Sequence, residues 1–335
     1  MIDWVTAKLP CRHDPSKLTS GVVMSFDPFG ENEWLVNKKL TVEGSYSSKI
    51  QIASADSSHI YISGNPTKFL QGHNLFGSND LKKIMAKFFD ALVQQEALGL
   101  YPNPHQYDSI QQGLYTLSRV DMNESWHLAN KNDVLAWVRA FGETVRLKHR
   151  GAGQFSGDTA YIGKNSRRWA MKCYSKGHEI TAKGHQLPKE LQIPEMIEYA
   201  NKSLRLELVI RQLELKRRGL DMAWHWQDTT PIMLLHTMVL SNLEMSDVFM
   251  LKNDILESLP PRLRLTYQAW LNGDDLKHIL PHNTFYRSKR ALREYGIDIS
   301  IPSPKEKNNV IPLIRYLEAE PVGIPDWAYE KNLVA

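Results

Sequence analysis

Apolar and polar residues alternate with a period of two at many places in the first two thirds of the chain, the pattern of strands buried on one face. It predicts strands near Ile2 to Leu9, Leu40 to Val42, Lys49 to Ala53, Ile60 to Ser63, Leu114 to Met122, Thr159 to Ile162, Arg168 to Tyr174 and Ser203 to Arg211. Helical spacing separates some of them. From about Asn79 to Leu98, residues Leu81, Ile84, Met85, Phe88, Phe89, Leu92 and Val93 form one apolar stripe, with Ser78 or Asn79 placed to cap it. A second stripe, Val134, Val138, Phe141 and Val145, runs from about Asp133 to Arg146. The interleaving predicts an α+β domain on a largely antiparallel sheet.

After about Arg211 the strand signal fades and helical spacing takes over, as in Ile232 to Leu243 and Leu263 to Leu271. A boundary between 215 and 230 is expected, dividing residues 1–215 from a mainly helical domain over 225–335. Residues Leu271 to Arg287 read as a short helix, a turn and a second helix. The second helix carries Tyr286, Arg287, Lys289, Arg290 and Arg293, ends at Gly296 and leads into a short apolar strand, Ile297 to Ile301. A winged helix-turn-helix with its basic helix in a major groove would read this way; an ordinary helical hairpin is the alternative.

The length of 335 residues suits one catalytic and one accessory domain, and 42% apolar with 23% charged residues is the mixture of a folded protein. The first residues lack a basic start followed by an apolar run, and no stretch of ~20 apolar residues follows, so no membrane partner is expected. Two cysteines, Cys11 and Cys173, exclude a disulfide framework and a four-thiolate zinc site. Cytoplasmic residence is the expectation.

The net charge of +4 is unevenly placed. Residues 146–185 hold nine Lys or Arg against Asp158 and Glu179, a balance of +7, and Arg262 to Arg293 hold seven against Asp274 and Asp275, a balance of +5. Such runs are often only solvated faces, yet two of them in different regions suit nucleic acid gripped by two domains. Arg167, Arg168 and Lys172 of the first, and Arg287, Lys289 and Arg290 of the second, are the candidate contacts.

Candidate chemistry centres on Arg168 to Lys176, which follows Ala160 to Ser166 as the second arm of a β-hairpin closed by a Gly/Asn/Ser turn. Strand geometry aims Lys172, Tyr174 and Lys176 at one face. A phenol ionises near pH 10, so nucleophilic attack needs a nearby cation, and Lys176 is placed to help. Two other strands each carry an arginine and a carboxylate two residues apart, Arg119 with Asp121 and Arg205 with Glu207. Those carboxylates suit a hard cation, Mg²⁺ or Mn²⁺, that would polarise a phosphate; cross-strand ion pairing is the competing account. His73, in the polar loop between a strand and the long helix, is a third candidate ligand or a structural histidine.

The run Leu70-Gln71-Gly72-His73-Asn74-Leu75-Phe76-Gly77, the Ser118-Arg119-Val120-Asp121 strand, Tyr174-x-Lys176, Arg205-x-Glu207 and the late stretch Asn308 to Arg315 together resemble the gene-two replication protein family of filamentous bacteriophages. The hairpin also looks like that of plasmid rolling-circle initiators. The resemblance implies a five-stranded-type nickase sheet with flanking helices and a site- and strand-specific nickase-ligase. Tyr174 would attack one phosphate of a double-stranded phage origin, leaving a free 3′-hydroxyl and a 5′-phosphotyrosine, and would later rejoin the displaced strand into a circle. It also implies metal on Asp121 and Glu207, help from Lys176, DNA contacts by Arg119 and Arg205, and a host cytoplasm. Host helicase and DNA polymerase are the partners it implies, with an oligomer on DNA allowed. No His-hydrophobic-His pair occurs, so the metal site of the two-histidine nickases does not transfer. A non-catalytic origin-binding protein is the alternative, separated from the nickase by the role of Tyr174. A tyrosine recombinase would want arginines and histidine around a helical tyrosine.

Overall fold

The computed structural model describes residues 1–147, 151–245, 259–271, 274–295, 297–301, 317 and 320–335. Among these, one antiparallel sheet of ten strands is built outward from the N-terminal strand β1 (Ile2–Pro10). On one side of β1 come β5 (His59–Gly64), β4 (Lys49–Asp56), β3 (Asn32–Glu43) and the edge strand β2 (Thr19–Phe26). On the other come β6 (Thr116–His127), β12 (Ser203–Arg211), β11 (Trp169–Ser175), β10 (Thr159–Ile162) and β9 (Gln154–Ser156). A small second sheet joins β7 (Val145–Leu147), β8 (Gly151–Ala152) and β13 (Leu243–Met245).

Alternation sorts the central strands into an apolar and a polar face. Leu204, Leu206, Leu208 and Ile210 of β12 join Met171 and Cys173 of β11 and Val120, Met122 and Trp126 of β6 in the main core. The long helix α2 (Leu81–Val93) adds Leu81, Ile84, Met85, Phe88, Phe89 and Leu92 to that core, each such burial stabilising by roughly 1.5–3 kcal/mol. Its cap is Asp80, whose side chain accepts from the Lys83 amide, rather than Ser78 or Asn79. The second helix, α4 (Lys131–Thr144), is capped by Asn130 and packs across β10, β11 and β12. Shorter helices complete this part: α1 (Pro66–Gln71), α3 (Pro104–Gln112), α5 (Lys176–Glu179), α6 (Pro194–Lys202), α7 (Gln212–Arg218) and α8 (Thr230–Met238).

The α+β class and the antiparallel sheet are as expected, and the sheet extends beyond five strands at both ends. Its far end, the β2/β3 hairpin, escapes the period-two test because runs such as Val22-Val23-Met24 and Trp34-Leu35-Val36 place apolar residues on both faces. The expected helix over Ile232 to Leu243 stops at Met238, and the chain turns into β13.

No break in packing occurs at 215–230, because Leu234, Leu235, Met238 and Val239 belong to the main core. Downstream, α9 (Pro261–Leu271), α10 (Leu276–Ile279) and α11 (His282–Arg293) surround their own small core of Leu263, Tyr267, Leu276, Phe285 and Leu292. Leu280 and Pro281 alone separate α10 from α11, the short link of a helix-turn-helix. The expected wing is corrected, since residues 297–301 form turns rather than a strand. The stretch Asn308 to Arg315 lies outside the described residues. Residues 320–335, with α12 (Asp326–Glu330), return to the first part of the chain, where Ala328 packs with Leu75, Phe76 and Tyr199.

Candidate active site

The polar face of β6, β12 and β11 is a grid set by strand register. Tyr174 lies opposite Arg205, which lies opposite Ser125; Lys172 opposes Glu207, which opposes Asn123; Ala170 opposes Val209, which opposes Asp121. Every residue of β12 but the last is buried, so its two buried charged side chains, Arg205 and Glu207, need partners within the protein.

Arg205 finds them in the loop after α1. Its Nη1 donates to the Asn74 carbonyl at 2.6 Å, Nη2 to the Leu75 carbonyl at 2.5 Å and Nε to Ser125 Oγ at 3.1 Å. The guanidinium is wholly buried, so the expected DNA contact is corrected: Arg205 is a clamp that holds residues 74 and 75 over the sheet. The loop can turn there because Gly72 closes α1 with φ 81°, where a Cβ would meet the Tyr46 ring at 2.3 Å.

Glu207 is shared. Lys172 Nζ donates to Oε1 at 2.5 Å, and the Tyr174 hydroxyl donates to Oε2 at 3.1 Å. Burial pushes the Glu207 carboxyl up to about 7, with the charges of Asp3 and Asp121 adding to the effect and Lys172 opposing it. Burial also holds the Tyr174 phenol well above its usual range; Glu179 and Glu207 reinforce this, and Arg205 works against it. Arg205 is the cation that strand register sets opposite the phenol. Lys176, the expected helper, is buried at the start of α5, where it donates to Asn74 Oδ1 at 2.8 Å and to Glu179; burial lowers its pKa.

Asp121 is gripped by Arg119 through Nε to Oδ1 at 2.7 Å and Nη2 to Oδ2 at 2.5 Å, and burial still raises its pKa against that pairing. Arg119 in turn lies over the Trp4 ring at 5.5 Å, leaving a partly open cation-aromatic surface beside the carboxylates. Asn123 is 2% exposed, and its Nδ2 has no hydrogen-bond partner among the described residues.

His73, the third candidate ligand, is buried in the loop after α1. Its Nδ1 accepts from the Leu75 amide at 3.3 Å within its own loop, and its Nε2 lies 2.9 Å from the Leu333 carbonyl of the C-terminal tail. Burial lowers its pKa to about 4 and keeps the ring neutral. The sequence reading missed Asp3, whose Oδ1 accepts from Asn65 Nδ2 and Asn74 Nδ2, each at 2.8 Å. It also missed Glu179, the partner of Lys176. The available signal for Asp3 was a carboxylate in the same period-two row as Val5, Ala7 and Leu9.

Asp3, Asp121 and Glu207 offer only oxygen donors, the chemistry of a Mg²⁺ or Mn²⁺ site. No three His, Cys, Asp or Glu side chains converge in ligand geometry among the described residues, so an ion would have to draw Asp121 and Glu207 from Arg119 and Lys172. The other candidate DNA contacts sit on two separate elements. Arg167 and Arg168 are exposed beside the β10/β11 turn, with Arg168 Nη1 3.7 Å from Glu214. Arg287 and Arg290 are exposed on α11, and Lys289 is half-buried 3.9 Å from Asp298. Lys148 and Arg150 fall outside the described residues.

Residues 1–229 match the family model for the N-terminal part of the gene-two replication-associated protein, and residues 251–334 match the model for its C-terminal part. The replication-associated protein of this kind from Enterobacteria phage I2-2 is 38% identical over 337 residues, which covers 97% of this chain and 95% of that protein. Its counterpart from Enterobacteria phage M13 is 26% identical over 328 residues, covering 82% of this chain and 78% of that protein. Among solved structures, a rolling-circle replication initiator protein from Geobacillus stearothermophilus has a TM-score of 0.30 at 12% identity, covering 76% of this chain and 89% of that one. No helix among the described residues is long and apolar enough to cross a membrane.

Proposed function

Since the chain belongs to the family of gene-two replication-associated proteins, we propose that it starts rolling-circle replication by nicking one strand of a phage origin with Tyr174 as nucleophile. The observation that carries this reading is the Tyr174 hydroxyl donating to Glu207 at 3.1 Å with Arg205 opposite in register. A phenol whose pKa is held high needs a base to take its proton as it attacks, and the carboxylate poised near neutrality beside it is that acceptor.

The Tyr174 oxygen attacks the scissile phosphorus while its proton passes to Glu207 Oε2. The bond from phosphorus to the 3′-oxygen breaks, that oxygen takes a proton from solvent water to leave a 3′-hydroxyl, and Glu207 returns its proton to solvent. The 5′-phosphate stays on Tyr174. Rejoining is the reverse, with a 3′-hydroxyl attacking the phosphotyrosine and the proton returning to the phenol, so no nucleotide is consumed. Arg205 supplies the fixed positive charge beside the developing phenolate. Asn123 Nδ2, free to donate, suits a phosphate oxygen on the same face. Tyr174 is 6% exposed, so the 72–80 loop and α5 above it must yield when the strand enters.

Asp121 and Glu207, with Asp3 beside them, would hold the Mg²⁺ or Mn²⁺, which when bound polarises the phosphate. Exposed Arg167 and Arg168 at the hairpin, and Arg287 and Arg290 on α11, would bind the origin duplex by its phosphates. Extension of the 3′-end and unwinding are left to host polymerase and helicase in the host cytoplasm. Incubating the protein with supercoiled origin DNA and Mg²⁺ tests the reading: a nicked circle is expected from the native chain and none from Tyr174→Phe. A non-catalytic origin-binding protein would give no nicked circle from either.

A further inference from the structure

The β2/β3 hairpin has no counterpart in the chemistry above. Val22, Val23, Met24 and Phe26 of β2 and Trp34, Leu35 and Val36 of β3 are each at least 39% exposed, and Phe29 at the tip is 91% exposed. Register places Val23 opposite Val36 on one face and Met24 opposite Leu35 on the other, so both faces of the ribbon are apolar and open. A two-stranded ribbon with no cover is marginal in water. Moreover, β2 is the last strand of its sheet, and Thr19 to Phe26 contains no charge and no proline to discourage pairing at that edge.

The charges are at the two ends. Asp27, Glu31 and Glu33 stand at the tip, and exposed Lys38 and Lys39 stand at the root, where Thr19 pairs with Lys39. We propose that β2 pairs antiparallel with β2 of a second copy of this chain, joining the two sheets across a two-fold axis. Antiparallel pairing centred near Val22 and Val23 brings Thr19 of one copy opposite Phe26 of the other. Asp27, just past Phe26, then lies at the partner's Thr19, one strand spacing from the partner's Lys39, and the acidic end of each ribbon faces the basic end of the other, whereas a parallel arrangement would set acidic end against acidic end and basic end against basic end. The uncharged middle lets the apolar side chains of the two ribbons meet laterally, and an isologous contact of this kind closes as a dimer without growing further. The tip charge is also the wrong sign for a ribbon that enters a DNA groove.

Sedimentation of the full chain without DNA at micromolar concentration should give the mass of a dimer. Lys38→Glu with Lys39→Glu, and separately Glu31→Lys with Glu33→Lys, should each weaken the dimer by roughly tenfold or more through like-charge contact. Mixing the two variants one to one should restore it, because every tip then meets a root of opposite charge. A monomeric native chain, a dimer indifferent to both variants, or a mixture that stays monomeric would overturn the proposal. Nicking of a short single-stranded origin oligonucleotide by the variants, read in parallel, should be retained, because the ribbon has no part in the Tyr174 chemistry; the Tyr174 reading itself stands or falls on Tyr174→Phe and not on the dimer.

Discussion

The Tyr174 hydroxyl donates to Oε2 of Glu207 at 3.1 Å across the β11/β12 pair, while Lys172 holds the other carboxylate oxygen. The nucleophile and its proton acceptor are thus fixed by strand register, with no loop between them. A site built on rigid strands keeps its geometry through binding and release of DNA.

That pair sets the pH dependence. Glu207 must be ionised to accept the phenol proton, and burial pushes its pKa up to about 7 in the metal-free chain, so nicking should rise with pH and level off above neutrality, the rise moving to lower pH as added Mg²⁺ favours the ionised carboxylate. The same shift favours the protonated carboxyl on folding, so stability should decline as pH rises from 4.5, the ordinary value, through about 7. Glu207→Gln should lower the nicking rate by about 10²-fold or more and flatten both profiles. Rate measurements and thermal melts from pH 5 to 9 test this; an unchanged rate limb in the variant removes Glu207 from the proton path.

His73 carries the opposite dependence. Its folded pKa of about 4 lies below the ordinary 6.5, so its contribution is intact above 6.5 and is lost as pH falls through 4. A depression of that size corresponds to about 3 kcal/mol across the window. The difference in melting between native protein and His73→Gln should shrink as pH drops from 7 to 4. If His73 were instead a metal ligand, the variant's defect would appear as a raised Mg²⁺ requirement at constant stability.

Arg205 should be structural first. Arg205→Ala leaves the Asn74 and Leu75 carbonyls without their donor, at about 1–3 kcal/mol for each buried group left unpaired. The variant is expected to melt several degrees lower and to lose nicking even on single-stranded substrate. Native stability in Arg205→Ala would contradict the clamp.

Asn123 offers a cleaner separation. Its Nδ2 bonds nothing among the described residues, so Asn123→Ala should cost little stability. If the amide meets a phosphate oxygen in the transition state, the rate should fall by about 10- to 100-fold with KM little changed. An unaltered rate would leave the amide without a part in the chemistry.

Arg287 and Arg290 lie on α11, away from the grid. Replacing both by alanine should weaken duplex binding and reduce the slope of log affinity against log salt by about 2, while nicking of a short single strand is retained. Loss of both activities together would mean that α11 acts through the fold.

Much of the grid was legible because period two alone assigns Arg119, Asp121, Arg205, Glu207, Lys172 and Tyr174 to strand faces. Partners across strands were not, since register depends on pairing between segments up to a hundred residues apart. Hence Arg205 read as a DNA contact although its burial makes it a clamp, and Lys176 read as the helper although α5 turns it toward Glu179 and Asn74. Asp3 was hidden because a single carboxylate near the start of a strand says nothing until Asn65 and Asn74 close on it. The β2/β3 ribbon gave no alternation because neither of its faces is buried.

The most direct test of the central claim is to trap the protein on origin DNA labelled at the scissile phosphate, digest the adduct and map the labelled peptide. The account predicts a single labelled site, Tyr174, joined to the 5′ side of the nick, and no adduct from Tyr174→Phe. Label on Tyr161 or any other residue, or an adduct that survives Tyr174→Phe, would contradict it.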